Sequence, residues 1–389
     1  MDFYCILLLS FTAFVFTAIA FPVALRMAQR WHIVDSPDSR KLQSESVPVF
    51  GGAAVAFGVF VPLISIAAFF HLPALWYELL VMALLLAIGI TDDVWRLPAW
   101  FRFVVEFFLV WFLLWRTHIL IDDFHGLWNI LQLSVYSSLP LSVIAGVGIV
   151  NAVNLIDGVD GYSSGYGIVA NTLFAVVFFL TGETIHGFFS LVAASALLPF
   201  FLHNVFGRHS KMFIGDGGSL LIGMIITCDV FALLSAQSLS GSMLQQKGIG
   251  VVALSLAILC IPVFDTLRVM FARMAKGISP FTPDKTHLHH LFIDMGFSHV
   301  GTSLTIILAN LMIVILWWIA YRCGASVNMQ FYIVILLGML TTFGFYGLMR
   351  RSEKRQNALW HRMQRMGKWT HFEQKGAWII VQRIIDKLG

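Results

Sequence analysis

The sequence has few charged residues: Asp, Glu, Lys and Arg make up 12% of its 389 residues, whereas 58% are hydrophobic. Soluble globular proteins carry about 25% charged residues. The apolar residues also exceed what one soluble core can bury, because such cores stop growing at roughly 250–300 residues. The composition therefore excludes the soluble classes and predicts a polytopic integral membrane protein.

Cysteine is scarce as well, with four residues scattered along the chain and no C-x-x-C pair. Zinc ribbons, iron–sulfur centres and disulfide frameworks all need closely spaced or paired cysteines. The sequence supports none of these, and we interpret the four cysteines as small hydrophobic residues.

Long apolar runs recur from one end of the chain to the other. A bilayer core requires about 20 apolar residues per helix. The sequence therefore predicts an all-α membrane bundle of about eleven transmembrane helices, at residues 3–25, 49–70, 76–91, 100–116, 139–153, 165–181, 187–205, 214–236, 249–271, 302–321 and 329–349. The first run is too long for the apolar region of a signal peptide and lacks a basic segment before it, so we expect a spanning helix.

The basic residues predict the orientation. With the N-terminus outside, 22 of the 25 Lys and Arg residues lie at or near the inner face, and only Arg116, Lys247 and Arg322 lie outside. The positive-inside rule then places the C-terminus in the cytoplasm. We expect a transmembrane domain over residues 1–349 and a basic tail over 350–389. The apolar stripe near the end of the tail predicts either an amphipathic helix on an anionic leaflet or a partly disordered, solubilising segment.

Acidic and amide side chains interrupt the apolar runs at the predicted inner face, where burial is costly and indicates function. Asp92-Asp93 end the third span, and two adjacent carboxylates need a cation or a basic neighbour. Asn151, Asn154, Asp157 and Asp160 recur every third residue, a spacing that a helix would align on one face.

Two further segments combine glycines, acids and basic groups. Gly215-Asp216-Gly217-Gly218-Ser219 opens the eighth span and favours anion binding by backbone amides, unless Asp216 is only a helix cap. His287, His289 and His290 lie close to cations in the loop 272–301, which suits pyrophosphate better than zinc because no cysteine accompanies them. Arg40-Lys41, taken alone, is only a topology signal.

Together these residues predict a chemistry. Carboxylates hold Mg²⁺, and the basic and glycine-rich segments hold phosphates, all at the cytoplasmic edge of a helical bundle. This arrangement is typical of phosphoryl transfer from a water-soluble nucleotide donor to an acceptor held in the membrane.

These motifs, in this order, resemble those of the polyprenyl-phosphate N-acetylhexosamine-1-phosphate transferases, a glycosyltransferase 4 family. The similarity runs from about Asp35 to His290, and the H-x-H-H segment after Ser279-Pro-Phe resembles the N-acetylglucosamine branch rather than the peptidoglycan translocase. Two positions depart from the family pattern. Gln43 stands where many relatives have His, and Arg96 stands where many have a third acid.

The resemblance implies that N-acetylglucosamine 1-phosphate moves from UDP-N-acetylglucosamine to undecaprenyl phosphate at the bacterial inner membrane, starting a surface polysaccharide such as O-antigen. It implies Asp92 and Asp93 as catalytic residues, and Asp216, Asp92 and Asp157 as ligands of Mg²⁺, which Mn²⁺ can replace. Whether Asp92 or Asp93 is a base or a metal ligand stays open. The implied nucleotide-sugar site comprises Lys41, Asn151, Asn154, Asp157, Asp160, Asn204, Phe213, Gly215, Arg273, His287, His289 and His290.

Alternatives remain at this point. Another UDP-N-acetylhexosamine could be the donor. A secondary transporter or lipid-phosphate flippase also buries charges, but transport predicts polar residues at the midplane and on both faces; Asp229, in the outer half of the eighth span, fits that interpretation best. The expected partners are the two substrates and membrane lipids, without nucleic acid, and a homodimer stays open.

Overall fold

The structure is a computed structural model that describes residues 3–35, 46–130, 132–282, 284–374 and 376–389. These residues form almost only helices, which confirms the predicted all-α membrane architecture. In chain order the helices are α1 (Phe3–Arg30), α2 (Gly51–Phe69), α3 (Pro73–Trp95), α4 (Ala99–Thr117), α5 (Val135–Leu155), α6 (Tyr162–Thr181), α7 (Thr184–Phe206), α8 (Gly215–Leu234), α9 (Leu239–Gln246), α10 (Val251–Ile258), α11 (Cys260–Met274), α12 (Leu288–Asp294), α13 (His299–Arg322), α14 (Val327–Met339), α15 (Phe345–Arg355), α16 (Ala358–Trp369) and α17 (Gly376–Leu388).

Short elements complete the fold. Strands β1 (Val34–Asp35) and β2 (Val47–Pro48) pair antiparallel, with Val34 opposite Pro48. A π-helical turn, Leu340–Gly344, joins α14 to α15, and 3₁₀ turns occupy Leu127–Asn129 and Phe372–Gln374.

The number of membrane crossings can be compared with the prediction. Within the described ranges, nine helices are long and apolar enough to span a bilayer, or ten if the bent pair α10–α11 forms one span. These ten agree with ten of the predicted spans. The remaining one, α4, is a helix of 19 residues that carries Arg102, Glu106 and Arg116, too many charges to qualify as apolar. The multi-pass fold is confirmed, while the count of eleven and the sidedness stay predictions.

The ninth predicted span is broken between α10 and α11, which meet at 74°. Pro262 has no N–H to donate to the carbonyl of Ile258, so the helix cannot continue regularly. Asn310 accepts a hydrogen bond from Ile261 N at 2.9 Å and donates one to Ile258 O at 2.9 Å, while Tyr166 donates to the same carbonyl at 3.2 Å. Backbone groups in a membrane need such partners, so these two side chains stabilise the bend.

Helix α8 lies at the centre of the bundle, packed on α2, α3, α5, α6 and α7, and all its residues except Asp216 are buried. Glycines bring its first turn against two neighbours. A Cβ atom on Gly52 of α2 would lie 2.4 Å from Gly218 N, and one on Gly89 of α3 would lie 2.4 Å from Gly217 N. The three helix backbones therefore touch directly, which fixes the position of Asp216.

The predicted boundary after residue 349 falls inside a continuous helical segment, Val327–Arg355. The described part of the tail continues as α16 and α17, and α17 carries the predicted apolar stripe. Ile380, Ile384 and Leu388 on this stripe are exposed, whereas Ile385 is buried. The tail is therefore helical, and its division from the membrane domain stays a prediction.

Candidate active site

A cavity of about 380 Å³ lies at the end of the bundle where α8 begins, and we call it the polar pocket. The predicted site residues that line the polar pocket are Asp93, Asp157, Asp160, Asn204, Phe213, Gly215, Asp216 and His290. Three further residues line it that the sequence did not assign to the site, namely Asp35, Arg96 and His299.

Asp93 caps α8 from the end of α3. Its Oδ1 atom accepts a hydrogen bond from Asp216 N at 3.0 Å, and its Oδ2 atom accepts one from Gly217 N at 3.4 Å. Gly215 permits this contact, since its φ is +74° and a Cβ atom there would lie 2.4 Å from Asp93 Oδ2. The first amides of α8, which we expected to bind phosphate or to be capped locally, are therefore bound to a carboxylate of another helix.

Asp216 presents its carboxylate to the polar pocket with 35% of the side chain exposed. Its Oδ1 atom accepts from Asn154 Nδ2 at 2.8 Å, and its Oδ2 atom lies 3.1 Å from Arg102 Nη1. Asn154 also donates to Ser219 Oγ at 2.8 Å. Asp216 is therefore held in place by α4 and α5 while it faces the cavity.

Arg102, on α4, connects the predicted acids behind the polar pocket. Its Nη1 atom lies 2.7 Å from Asp92 Oδ2 as well as 3.1 Å from Asp216 Oδ2. Its Nε atom lies 3.6 Å from Glu106, which accepts a hydrogen bond from Asn151. The adjacent carboxylates of Asp92 and Asp93 thus have different partners, and Asn151 supports this network rather than lining the cavity.

The three-residue spacing from Asn151 to Asp160 does not form one helical face. Helix α5 ends at Leu155, so the two asparagines are helical while Asp157 and Asp160 lie in the turn before α6. Both acids nevertheless line the polar pocket. The two asparagines do not line it, and the expected alignment of all four residues on one helical face was wrong because the backbone turns after Leu155.

The two acids of this turn differ in charge environment. Burial, together with the carboxylates of Asp216 and Asp160, raises the pKa of Asp157 to about 7 despite a hydrogen bond from Ser163. Burial would also raise the pKa of Asp160, but His299 and Lys211 hold it below its ordinary value. Lys211 Nζ lies 2.6 Å from Asp160 Oδ2. Asp160 is therefore a paired carboxylate, whereas Asp157 lacks such a cation among the described residues.

The histidine-rich segment is held from α11. Asp265 Oδ2 lies 3.0 Å from His287 Nδ1, and its other oxygen lies 2.7 Å from Arg268 Nη2. His289 packs on the turn before α6, where a Cβ atom on Gly158 would lie 2.3 Å from its Nε2 atom. His287 and His289 thus position α12 so that His290 faces the polar pocket.

The protonation of these histidines changes the expected role. Burial and the neighbouring His287 lower the pKa of His290 to about 4, and burial likewise lowers that of His289 well below its ordinary value. His290 would therefore bind a phosphate as a neutral hydrogen-bond donor rather than as a cation.

Arg273 was predicted to bind phosphate. In the structure it instead contacts Asp284 at 3.1 Å and donates to Pro280 O.

The carboxylates fit a hard cation. Among the described residues, no three His, Cys, Asp or Glu side chains converge into a complete metal site. Mg²⁺ needs only one or two protein carboxylates, since water and substrate phosphates supply its other ligands. Asp157 and Asp216 both line the polar pocket, whereas Asp92 does not. The predicted three-acid set stays a prediction.

One predicted site residue cannot be assessed, and three residues of the site were not predicted. Lys41 lies outside the described residues. Arg102, Lys211 and His299 were missed, because the first two were counted only as topology charges. The i, i+4 spacing of Arg102 and Glu106 inside an apolar helix was the signal that could have identified this ion pair.

Comparison with known proteins places this geometry in context. The sequence model of glycosyl transferase family 4 matches residues 75–235, which include Asp92, Asp93, Asp157 and Asp216. The chain is 31% identical over 343 residues to a decaprenyl-phosphate N-acetylglucosaminephosphotransferase of Mycolicibacterium smegmatis, covering 77% of this chain and 78% of the relative.

Two relatives have names that specify undecaprenyl phosphate. An undecaprenyl-phosphate alpha-N-acetylglucosaminyl 1-phosphate transferase of Salmonella typhi is 26% identical over 347 residues, covering 88% of this chain and 90% of the relative. A probable undecaprenyl-phosphate N-acetylglucosaminyl 1-phosphate transferase of Bacillus subtilis is 29% identical over 289 residues, covering 74% and 77%. The similarity thus extends across most of each protein and well beyond the matched family segment.

Proposed function

The chain belongs to glycosyl transferase family 4, and from this premise we propose that it transfers N-acetylglucosamine 1-phosphate from UDP-N-acetylglucosamine to undecaprenyl phosphate. The products are UMP and undecaprenyl-pyrophosphoryl-N-acetylglucosamine, a first lipid-linked intermediate of a surface polysaccharide. The names of its relatives support this reaction. The observation that carries the proposal is that a carboxylate-lined polar pocket and an apolar cavity both border the short helix α12.

The apolar cavity, of about 400 Å³, lies among α11, α12, α13, α16 and the π-helical turn. Leu288, Phe292 and Phe345 are among its lining residues. Helix α12 borders both cavities, since Leu288 lines the apolar one and His290, two residues later, lines the polar pocket. We assign the prenyl chain to the apolar cavity and the sugar nucleotide to the polar pocket, because each surface suits one substrate.

The transfer step is a substitution at phosphorus. An oxygen of the lipid phosphate attacks the β-phosphorus of the donor, and the bond from that phosphorus to the bridging oxygen breaks, so UMP leaves with the bridging oxygen. A phosphate monoester has a second pKa of about 6 and is mostly dianionic at pH 7, so it needs no base. Hydrogen bonding by His290, which positions the phosphates, and charge neutralisation by Arg96 then supply most of the rate.

Asp157 and Asp216 would hold Mg²⁺ together with the donor diphosphate. When bound, the ion neutralises the charge that develops on the phosphates. Asp92 and Asp93 act differently: Asp92 orients Arg102, and Asp93 holds the first turn of α8, so that Asp216 keeps its direction.

The same proposal includes the location of the reaction. We assign the protein to the bacterial inner membrane with the polar pocket facing the cytoplasm, where a sugar nucleotide is available. The predicted excess of Lys and Arg on that side, 22 of 25, supports this orientation. Residues 1–349 would carry the reaction, and 350–389 would form the cytoplasmic tail.

The test is a product assay with the purified full-length protein in detergent, undecaprenyl phosphate, Mg²⁺ and labelled UDP-N-acetylglucosamine. We expect one UMP released per labelled lipid formed. Asp93→Asn should lower the rate at least about 100-fold, whereas Glu373→Gln, an exposed carboxylate of the tail, serves as the matched control and should leave it unchanged.

Two outcomes would redirect the proposal. Faster transfer from another UDP-N-acetylhexosamine in the same assay would retain the reaction and replace the sugar. Movement of lipid phosphate across vesicles without formation of labelled lipid would contradict transferase activity and favour a flippase.

A further inference from the structure

The turn between α7 and α8 binds a carboxylate from the far end of the chain. The amides of Arg208, His209 and Ser210 all donate to Asp386 Oδ1, at 2.9, 3.0 and 3.1 Å, and Ser210 Oγ donates to the same atom at 3.1 Å. Successive amides that converge in this way form an anion-binding concavity. Here the anion is a side chain of the protein itself. Although burial opposes it, these donors lower the pKa of Asp386 below its ordinary value.

The helix that carries Asp386 is packed rather than loosely attached. The rings of Trp378 in α17 and Phe206 at the end of α7 have centroids 4.4 Å apart. Ile385 is buried, and a Cβ atom on Gly389 would lie 2.5 Å from Ser210 Cβ. Asp386 is therefore brought to the turn by a helix with its own contacts to the membrane domain.

The same turn delivers residues to the polar pocket. Lys211, the residue after Ser210, is the ion-pair partner of Asp160, and Phe213 lines the cavity. Beyond Lys211 the chain is fixed, since Asn204 donates to Met212 O at 3.0 Å and Phe213 N donates to Pro48 O at 2.8 Å. On the other side of Lys211, the amides of residues 208–210 depend on Asp386.

We propose that Asp386 is a positioning residue for the polar pocket: through the turn 208–210 it sets the place of Lys211, and α17 thereby contributes to binding of the donor. Only the expected effect on binding of the sugar nucleotide rests on the proposed function. The contact itself can be tested without any reaction.

The first experiment is hydrogen–deuterium exchange on the full-length protein in detergent, followed for the amides of residues 208–210. Asp386→Ala removes their acceptor, and we expect exchange to accelerate at least about tenfold. Asp386→Asn retains an acceptor oxygen and should give an intermediate rate. Arg383→Ala, an exposed charge on the same helix, is the control and should match the wild type. Unchanged exchange in Asp386→Ala would overturn the proposal.

The second experiment separates positioning from stability. In the transfer assay, Asp386→Ala should raise the KM for the sugar nucleotide about five- to twentyfold and leave kcat and the KM for undecaprenyl phosphate within about twofold. Combined with Lys211→Ala, it should add little, because both changes remove the same contribution.

A lowered thermal unfolding midpoint with equal losses for both substrates would overturn the positioning role in favour of a purely structural one. Wild-type protein that shows no transfer would count against the proposed function alone, since accelerated exchange in Asp386→Ala would still support the contact.

Discussion

Helices α3 and α8 carry buried or half-buried acids at both of their ends, and the two ends differ in what surrounds the carboxylates. At one end, Asp93 and Asp216 line the polar pocket. About 20 Å away along α8, a distance set by 13 residues of helix, Asp229 is fully buried, and Glu78 of α3 lies close enough to interact with it electrostatically.

The partners of these acids account for the difference. The carboxylate of Asp216 accepts hydrogen bonds from Arg102 and Asn154, and that of Asp93 accepts hydrogen bonds from two backbone amides. Asp229 Oδ1 accepts from Ser190 Oγ at 2.8 Å, but its Oδ2 atom has no partner within the described ranges, and no described cation contacts it. A charged carboxylate is costly without a cation. We therefore interpret the Glu78–Asp229 end as a structural cluster rather than a second reaction site.

Removal of the metal should have the largest effect. We expect EDTA to lower transfer at least about 10³-fold and added Mg²⁺ to restore it, because a phosphoryl donor needs a divalent ion for charge neutralisation. Asp157→Asn should require more Mg²⁺ for half-maximal rate, whereas Asp229→Asn should keep the wild-type requirement. The transfer rate measured as a function of Mg²⁺ concentration gives the requirement of both variants. Full activity in EDTA would contradict a metal site in the polar pocket.

Substitution of each of the two acids of α8 by asparagine should have very different effects on the transfer rate. Asp216→Asn should reduce transfer about 10³-fold, a loss typical of a group that stabilises charge in the transition state. Asp229→Asn should remain within about twofold of wild type. Both variants must insert and elute as folded protein, and equal losses in the two would place Asp229 in the functional machinery.

Arg102 should have an intermediate effect. Arg102→Ala leaves Asp92 and Asp216 without their shared cation, and we expect transfer to fall about 100-fold. Arg102→Lys keeps the charge but not the two-way contact and should retain more activity. The measurement is the rate of labelled lipid formation, with Arg116→Ala, a basic residue at the opposite end of α4, as the control. Wild-type rates in Arg102→Ala would contradict the network described here.

The smallest effect on transfer is expected from a substitution at the Glu78–Asp229 end. Ser190→Ala removes the donor to Asp229 and should destabilise the protein by about 1 kcal/mol without altering the rate. Thermal unfolding in detergent measures the first effect and the transfer assay the second. A rate change larger than the stability loss would show that the two ends communicate.

Four of the five acids that line the polar pocket could be predicted, because polar groups in apolar runs are conspicuous, whereas Asp35 lies outside such a run. Asp93, Asp157, Asp160 and Asp216 stood out for that reason, and the structure brings all four to one cavity. Their roles could not be predicted, since adjacent residues such as Asp92 and Asp93 point to different helices. That distinction depends on side-chain direction at a helix end, which spacing does not specify.

The bend between α10 and α11 was hidden for a different reason. Residues 249–271 have the composition of one continuous span, and Pro262 alone is tolerated in membrane helices. One of the two side chains that stabilise the break, Asn310, lies in α13 and accepts a hydrogen bond from the amide of Ile261, 49 residues away. Only the tertiary structure relates these two positions.

The glycine contacts at the start of α8 have a consequence for ligand design. Where three backbones meet at Gly52, Gly89 and the glycines of α8, no side-chain rotamer can relax, so the wall that carries Asp93 and Asp216 should move as one rigid unit. An inhibitor must therefore match that wall as it stands. Adaptation to ligands of different size has to come from other lining residues of the polar pocket, such as His290 and His299.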